Sequence, residues 1–244
     1  METEEYTLMD TEQCMDGRIF SISVAHVWIN HTHGTMHLGE PMTYFVQESF
    51  QDEFKKDDRI SFQKLTATWF DLQVKNLPYA ELPFHKILEK ISRRVVDNGC
   101  TLVSHSIDRD LNFLWKSDQF YNAMYNSPKF FSNHPLSYPG ECTRNCNWKK
   151  IHFVCSQRVF MDKCPTFRDK YMKGGSSVQS IGAAIFGTTY TEVHHSIDDL
   201  YDLYKILHEA YICDKFRIGK RDFYITKRGD THMSKVASYQ NGSV

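Results

Sequence analysis

An α/β domain is the fold class this sequence predicts, and three observations predict it. β-Branched and aromatic runs alternate like half-buried strands, apolar residues recur at spacings of three and four between them, and 41% of the 244 residues are hydrophobic, enough to bury a substantial core. The first apolar run surrounds Tyr6 to Met9, and "RIFSISVAHVWI", Arg18 to Ile29, suits a long strand. "MTYFVQ", Met42 to Gln47, reads as a third. Pro83 is placed to open a helix whose apolar residues Ile87, Leu88, Ile91, Val95 and Val96 end at "DNG". "CTLVSH" is a strand that runs into the helical pattern "SIDRDLNFLW".

Residues 116–148 interrupt the rhythm with Pro128, Pro135 and Pro139 among many Asn and Ser residues, which predicts a long loop or insertion. "IHFVCSQRVF" resumes a strand that turns helical, and "SSVQSIGAAIFG" is a short helix stopped by Gly187. The clearest helix is "SIDDLYDLYKILHEAYI", with Ile197, Leu200, Tyr204, Leu207 and Tyr211 along one stripe.

The net charge of -1 excludes a uniformly basic, polymer-coating surface, so any nucleic-acid contact is local. Seven dispersed cysteines, at 14, 100, 142, 146, 155, 164 and 213, do not form the dense framework of a small secreted domain and predict reduced thiols. The acidic N-terminal stretch has no apolar signal-peptide core, and no run approaches the roughly 18 apolar residues of a membrane span. The expectation is an intracellular protein, cytoplasmic or nuclear.

Three segments gather titratable groups. In "LMDTEQC", Asp10 and Glu12 stand two positions apart at the end of the first strand, where the pleat points both carboxylates to one face and lets them share a cation. In "LVSHSIDRDLNFL", His105 stands five residues before Asp110, and in "HHSIDDLYDL", His194 stands five before Asp199. Carboxylates gathered in this way could hold two Mg²⁺ ions about 3.5 to 4 Å apart, which can activate a water and stabilise charge on attacking and leaving oxygens. Mg²⁺ takes hard oxygen ligands, so carboxylates suit it. A neutral histidine can accept the proton of the water near neutral pH.

In this order the segments resemble the DEDDh family of 3′-to-5′ exonucleases, proofreading-type nucleases built on an RNase H-like fold. The resemblance runs from about residue 6 to residue 212. Asp10 and Glu12 match the family's first motif; His105, Asp110, Phe113 and Leu114 match the second, from which Ser106 and Arg109 depart; His194 and Asp199 match the third, with Ser196 where the family has alanine. After Glu12 the chain continues "QCM" instead of small residues and a glycine, which leaves sugar and base preference open.

The resemblance implies an RNase H-like mixed five-stranded sheet flanked by helices over residues 1–213, followed by a basic C-terminal segment, 214–244. It implies two Mg²⁺ ions, replaceable by Mn²⁺, on Asp10, Glu12, Asp110 and Asp199, with His194 as general base and Thr11, Gln13 and His105 beside the substrate. The substrate would be an RNA or DNA 3′ end and the product a nucleoside monophosphate. Homo-oligomerisation is left open, and no membrane partner is expected.

Plainer readings stand beside these. Asp10 and Glu12 can be polar residues after an edge strand, Ser196 and Asp199 fit a capping box, and His105 can be a hydrogen-bonded core residue. Asp108 and Asp198 suit solvated first-turn positions. A rival class is a nuclease-fold module, weak or inactive in catalysis, that binds strand ends within a larger assembly. Cys142, Cys146, Cys155 and Cys164, with His134 and His152 nearby, lack paired short spacings and read as free thiols in preference to a zinc site. The histidines of "NHTHGTMH" fit a hairpin loop, and "KGGSS" lacks the pattern of a phosphate-binding loop. From Asp214 to Lys235 seven basic side chains face three acidic ones, with Phe216, Phe223 and Tyr224 interleaved, which suits either a surface for phosphates and bases or a solvated tail.

Overall fold

Two long antiparallel strands carry the sheet in the computed structural model, which describes residues 2–13, 19–49, 77–107, 110, 152–190 and 195–218. β1 (Thr3–Gln13) pairs with β2 (Ile19–Asn30) along its whole length, from Thr3 opposite Asn30 to Gln13 opposite Ile19. A tight turn at 31–34 leads to β3 (Thr35–Leu38), so the histidine-rich stretch is a hairpin, as expected. β4 (Met42–Val46) adds to the other end of β2, antiparallel, and β5 (Tyr79–Leu82) lies parallel to β4 at the sheet edge. β6 (Thr101–Ser104) pairs parallel with β1, and β7 (His152–Cys155) parallel with β6.

The order β4-β2-β1-β6-β7, three antiparallel strands followed by two parallel to β1, is the RNase H-like mixed sheet that the resemblance implies. The described sheet has seven strands, not five, because β3 and β5 are added. β5 escapes a reading of the sequence because its four residues stand between Pro78 and Pro83, so its surroundings look like a loop.

Helices cover both faces. α1 (Phe84–Asp97), which starts after Pro83, packs Phe84, Ile87, Leu88, Ile91 and Val95 against Met9, Ile22, Val24, Tyr44 and Val46. It ends where Gly99, at φ +83°, brings its Cα so close to β1 that an added Cβ would lie 2.7 Å from the Glu5 carbonyl oxygen. Only glycine permits that approach, and it delivers β6 alongside β1.

The opposite face receives α2 (Ser156–Lys163), α3 (Pro165–Tyr171), α4 (Val178–Phe186) and the long α5 (Ser196–Asp214). Leu200, Leu203, Ile206, Leu207, Ala210 and Tyr211 of α5 pack on Tyr6, Leu8, Ala25 and Val27. α3 begins immediately after α2, and its backbone N–H groups at Thr166 and Phe167 donate to Asp214 at 3.1 and 2.8 Å, a cap supplied from the end of α5. The "KGGSS" stretch also has a structural task, since Ser177 caps α4 by accepting from the Ser180 N–H at 3.1 Å.

Phe216 and Ile218, beyond α5, are buried in the same core. The loop expected at 116–148, His194, and the C-terminal segment past residue 218 lie outside the described residues. Among the described residues no helix is long and apolar enough to cross a membrane.

Candidate metal centre

The side-chain period of β1 settles which residues can meet α5. Tyr6 and Leu8 belong to the α5 face and Met9 to the α1 face, so Asp10 and Glu12 turn toward α5 and Thr11 away from it. Asp199, one turn into α5, completes the meeting: carboxylate oxygens of Asp10, Glu12 and Asp199 all lie within 4.8 Å of one another. Glu12 is 7% exposed and Asp199 6%, so two of the three are largely withdrawn from water, while Asp10 is half-buried. At an effective dielectric constant of about 20, each ionised pair at such a separation repels by about 3 to 4 kcal/mol. A divalent cation relieves that repulsion, and the hard, all-oxygen donor set fits Mg²⁺ or Mn²⁺.

The two adjacent aspartates at the start of α5 diverge as a turn of about 100° per residue requires. Asp199 faces the sheet, whereas Asp198 is more exposed and pairs with the His195 imidazole, Nδ1 to Oδ2 3.3 Å. The capping-box alternative fails here. His195 is the N-cap, its side chain makes no capping bond, and Ser196 is already inside the helix with its hydroxyl on the sheet.

Asp110 does not join the 4.8 Å group. Its carboxylate accepts from the Thr11 hydroxyl at 3.1 Å and from the Ser104 hydroxyl, and it is 8% exposed. Thr11 thus has a protein partner, and holds the fourth carboxylate beside the strand that bears the first two. The register of β1 and β2 shifts between Glu12 and Gln13, which leaves Phe20 as an extra residue on β2. Such a bulge re-aims side chains at the end of a strand. Phe20 packs with Phe45 against Ile197 in the first turn of α5.

His105 is occupied within the fold. Its Nε2–H donates to the Ser176 carbonyl at 2.7 Å, which leaves Nδ1 to accept from the Ser156 hydroxyl at 3.0 Å. It ties the end of β6 to α2 and to the turn before α4. The next residue, Ser106, sits at φ +60°, a left-handed conformation uncommon outside glycine, as the chain turns toward Asp110. Burial lowers the His105 imidazole to about 4, against the opposing effect of the Ser176 carbonyl.

The cysteines match the free-thiol expectation where they are described. Cys100, Cys155, Cys164 and Cys213 form no disulfide, and burial, followed by the Asp214 charge, pushes the Cys164 thiol up to about 12. At the far end of the sheet, a cavity of about 520 Å³ is lined by His31, His33, Tyr211, Lys215 and Arg217. Its positive charge is offset by Glu2, which pairs with Arg217, and by Glu4, 3.2 Å from His31.

No family model matches the chain, and no curated protein matches it. Among solved structures, one of a 3′-exonuclease in specific recognition of the 3′ end of a histone mRNA stem-loop is 12% identical, over 88% of this chain and 85% of that one, with a TM-score of 0.49. A full-length 3′-exonuclease is 11% identical, over 93% of each chain, also with a TM-score of 0.49.

Two expectations follow from this geometry. Asp10→Asn should raise the melting temperature of the metal-free protein by relieving like-charge repulsion, and should abolish stabilisation by Mn²⁺, which in the wild type is about 2.7 kcal/mol at one hundred times the Kd. Equal Mn²⁺ stabilisation in both proteins would contradict the site. For His105, the unfolded chain takes up a proton near pH 6.5 that the folded chain refuses until about pH 4, so stability falls as pH drops through that window and levels off below it. Imidazole NMR resonances of His105 should stay in the neutral form at pH 5.5, and a midpoint near the ordinary imidazole value would contradict the buried pin.

Proposed function

We propose that the chain is a metal-dependent 3′-to-5′ exonuclease of the DEDDh type, releasing nucleoside monophosphates from RNA or DNA 3′ ends. The observation that carries this reading is the convergence of Asp10, Glu12 and Asp199 at the end of β1. Three clustered carboxylates, two of them buried, do little for stability, yet they suit the metal ions that can assist phosphodiester hydrolysis. The motif spacing that singled out Asp10, Glu12, Asp110 and Asp199 supports the same conclusion from the sequence.

In this reading Asp10, Glu12 and Asp199 hold Mg²⁺, with Asp110, kept beside β1 by Thr11 and Ser104, as the fourth carboxylate. Two bound Mg²⁺ ions would supply an activated water and stabilise charge on the attacking and leaving oxygens. His194, five residues before Asp199, takes the proton of the water as its oxygen attacks phosphorus. The bond from phosphorus to the 3′ oxygen breaks, that oxygen is protonated as the shortened strand leaves, and a nucleoside 5′-monophosphate is released. Gln13, at the bulge beside Glu12, is the residue this reading puts next to the terminal nucleotide, and the basic residues after Asp214 suit contact with backbone phosphates. His105 serves this site by fixing the turn that leads to Asp110, so its part is to position.

The test is degradation of 5′-labelled single- and double-stranded RNA and DNA in Mg²⁺, Mn²⁺ and EDTA. A ladder shortened from the 3′ end, absent in EDTA and in Asp199→Asn, is expected. His194→Ala should lower the rate by on the order of 10² to 10⁴, with Mn²⁺ binding retained, and His195→Ala should lower it much less. No shortening of any substrate, with tight binding of strand ends, would favour the non-catalytic module; a larger loss in His195→Ala would transfer the base to His195.

A further inference from the structure

The strand opposite the carboxylates carries hydroxyls where a core strand ordinarily carries apolar groups. Ser23 is the cross-strand partner of Asp10, and Ser21 that of Glu12. Both serines turn to the α5 face, where the Ser196 hydroxyl lies 2.8 Å from that of Ser23 and 3.2 Å from that of Ser21. The Ser23 hydroxyl also lies 2.8 Å from the Thr43 hydroxyl on β4. All four residues are 0% exposed.

We propose that this buried ladder of hydroxyls positions Asp199 for the cation, with Ser196, Ser21 and Ser23 as positioning residues; the inference rests on the metal-site reading above. Ser196 and Asp199 stand three residues apart on α5, hence on neighbouring points of one helix face. The same two rungs of the β1–β2 ladder therefore hold two of the carboxylates on one strand and, on the other, the anchor of the helix that brings the third.

Three features make positioning the role of the ladder. The N-cap side chain of α5 makes no bond to the helix backbone; it pairs with Asp198, on the side of the helix turned away from the sheet, so that local contact does not set how the first turn sits on the sheet. The apolar lock of Ile197 on Phe20 and Phe45 holds the turn to the sheet, but apolar contact is non-directional and tolerates sliding and rolling. Hydrogen bonds are directional, and the 2.8 Å bond from Ser196 to Ser23, with the longer 3.2 Å contact to Ser21, restrains both movements. Stability alone does not call for the hydroxyls either, because replacing both partners of a buried hydrogen bond by apolar groups of the same shape is nearly neutral or stabilising.

The experiment measures Mn²⁺ affinity by electron paramagnetic resonance on the full chain, at a temperature where near-ultraviolet circular dichroism shows each variant folded. Ser196→Ala and Ser23→Ala should weaken Mn²⁺ binding on the order of 10- to 100-fold. Thr43→Val, which removes a hydroxyl bonded to Ser23 and not to Ser196, should change it by no more than about threefold, although it too disrupts a buried hydrogen bond. Should Ser196→Ala fail to fold, Ser196→Cys keeps the volume while weakening the bond, and is expected to shift affinity in the same direction. Unchanged affinity in the serine variants, or losses in all variants that merely track their melting temperatures, would overturn the positioning role. Absence of Mn²⁺ binding in the wild type, or binding that survives Asp10→Asn, would instead overturn the metal-site reading and the inference with it.

Discussion

Negative charge gathered at the end of a largely buried strand is the constraint around which this chain is arranged. Asp10 and Glu12 are brought to one side by the pleat of β1, and Asp199 is brought to them by the first turn of α5. Three ionised carboxylates so close together repel one another. The surrounding fold has to hold them there, and a divalent cation is a partner that the group could take.

The holding is done by ordinary means placed with unusual density. The long β1–β2 pair fixes the register, α1 and α5 clamp its two faces, and the bulge at Phe20 provides the apolar seat for Ile197. Hydroxyl contacts add direction to that seat on one face, while on the other Thr11 and Ser104 restrain Asp110. His105, kept neutral by burial, closes the turn from β6 toward Asp110. The alternating pleat of one strand thus serves both ends of the chemistry: even-numbered residues present carboxylates, and the intervening Thr11 secures another.

Much of this is legible from the residues alone, for physical reasons. β-Branched alternation in β2 and the three-and-four spacing in α1 and α5 report their burial directly, and the period of a strand is enough to put Asp10 and Glu12 on one face. The divergence of Asp198 from Asp199 likewise follows from the helix repeat. β5 was hidden by flanking prolines, and α3 by its brevity and by a cap that comes from Asp214, 47 residues from Phe167. The link from Thr11 to Asp110 spans 99 residues, and that from Ser21 to Ser196 spans 175, so no local spacing encodes them. A signal for the latter does exist: "SIS" puts two hydroxyls on the core side of an otherwise apolar strand. Ser196 looked like half of a capping box because sequence shows that a serine precedes a helix, but not whether its hydroxyl turns to its own backbone or to a neighbouring sheet.

The most direct test of the central claim is diffraction from crystals of the full chain grown with Mn²⁺, recorded at a wavelength where manganese scatters anomalously. Anomalous density is expected among the carboxylates of Asp10, Glu12 and Asp199, with Asp110 drawn to the same centre. Well-ordered carboxylates with no anomalous density between them, or manganese bound only elsewhere on the molecule, would contradict it.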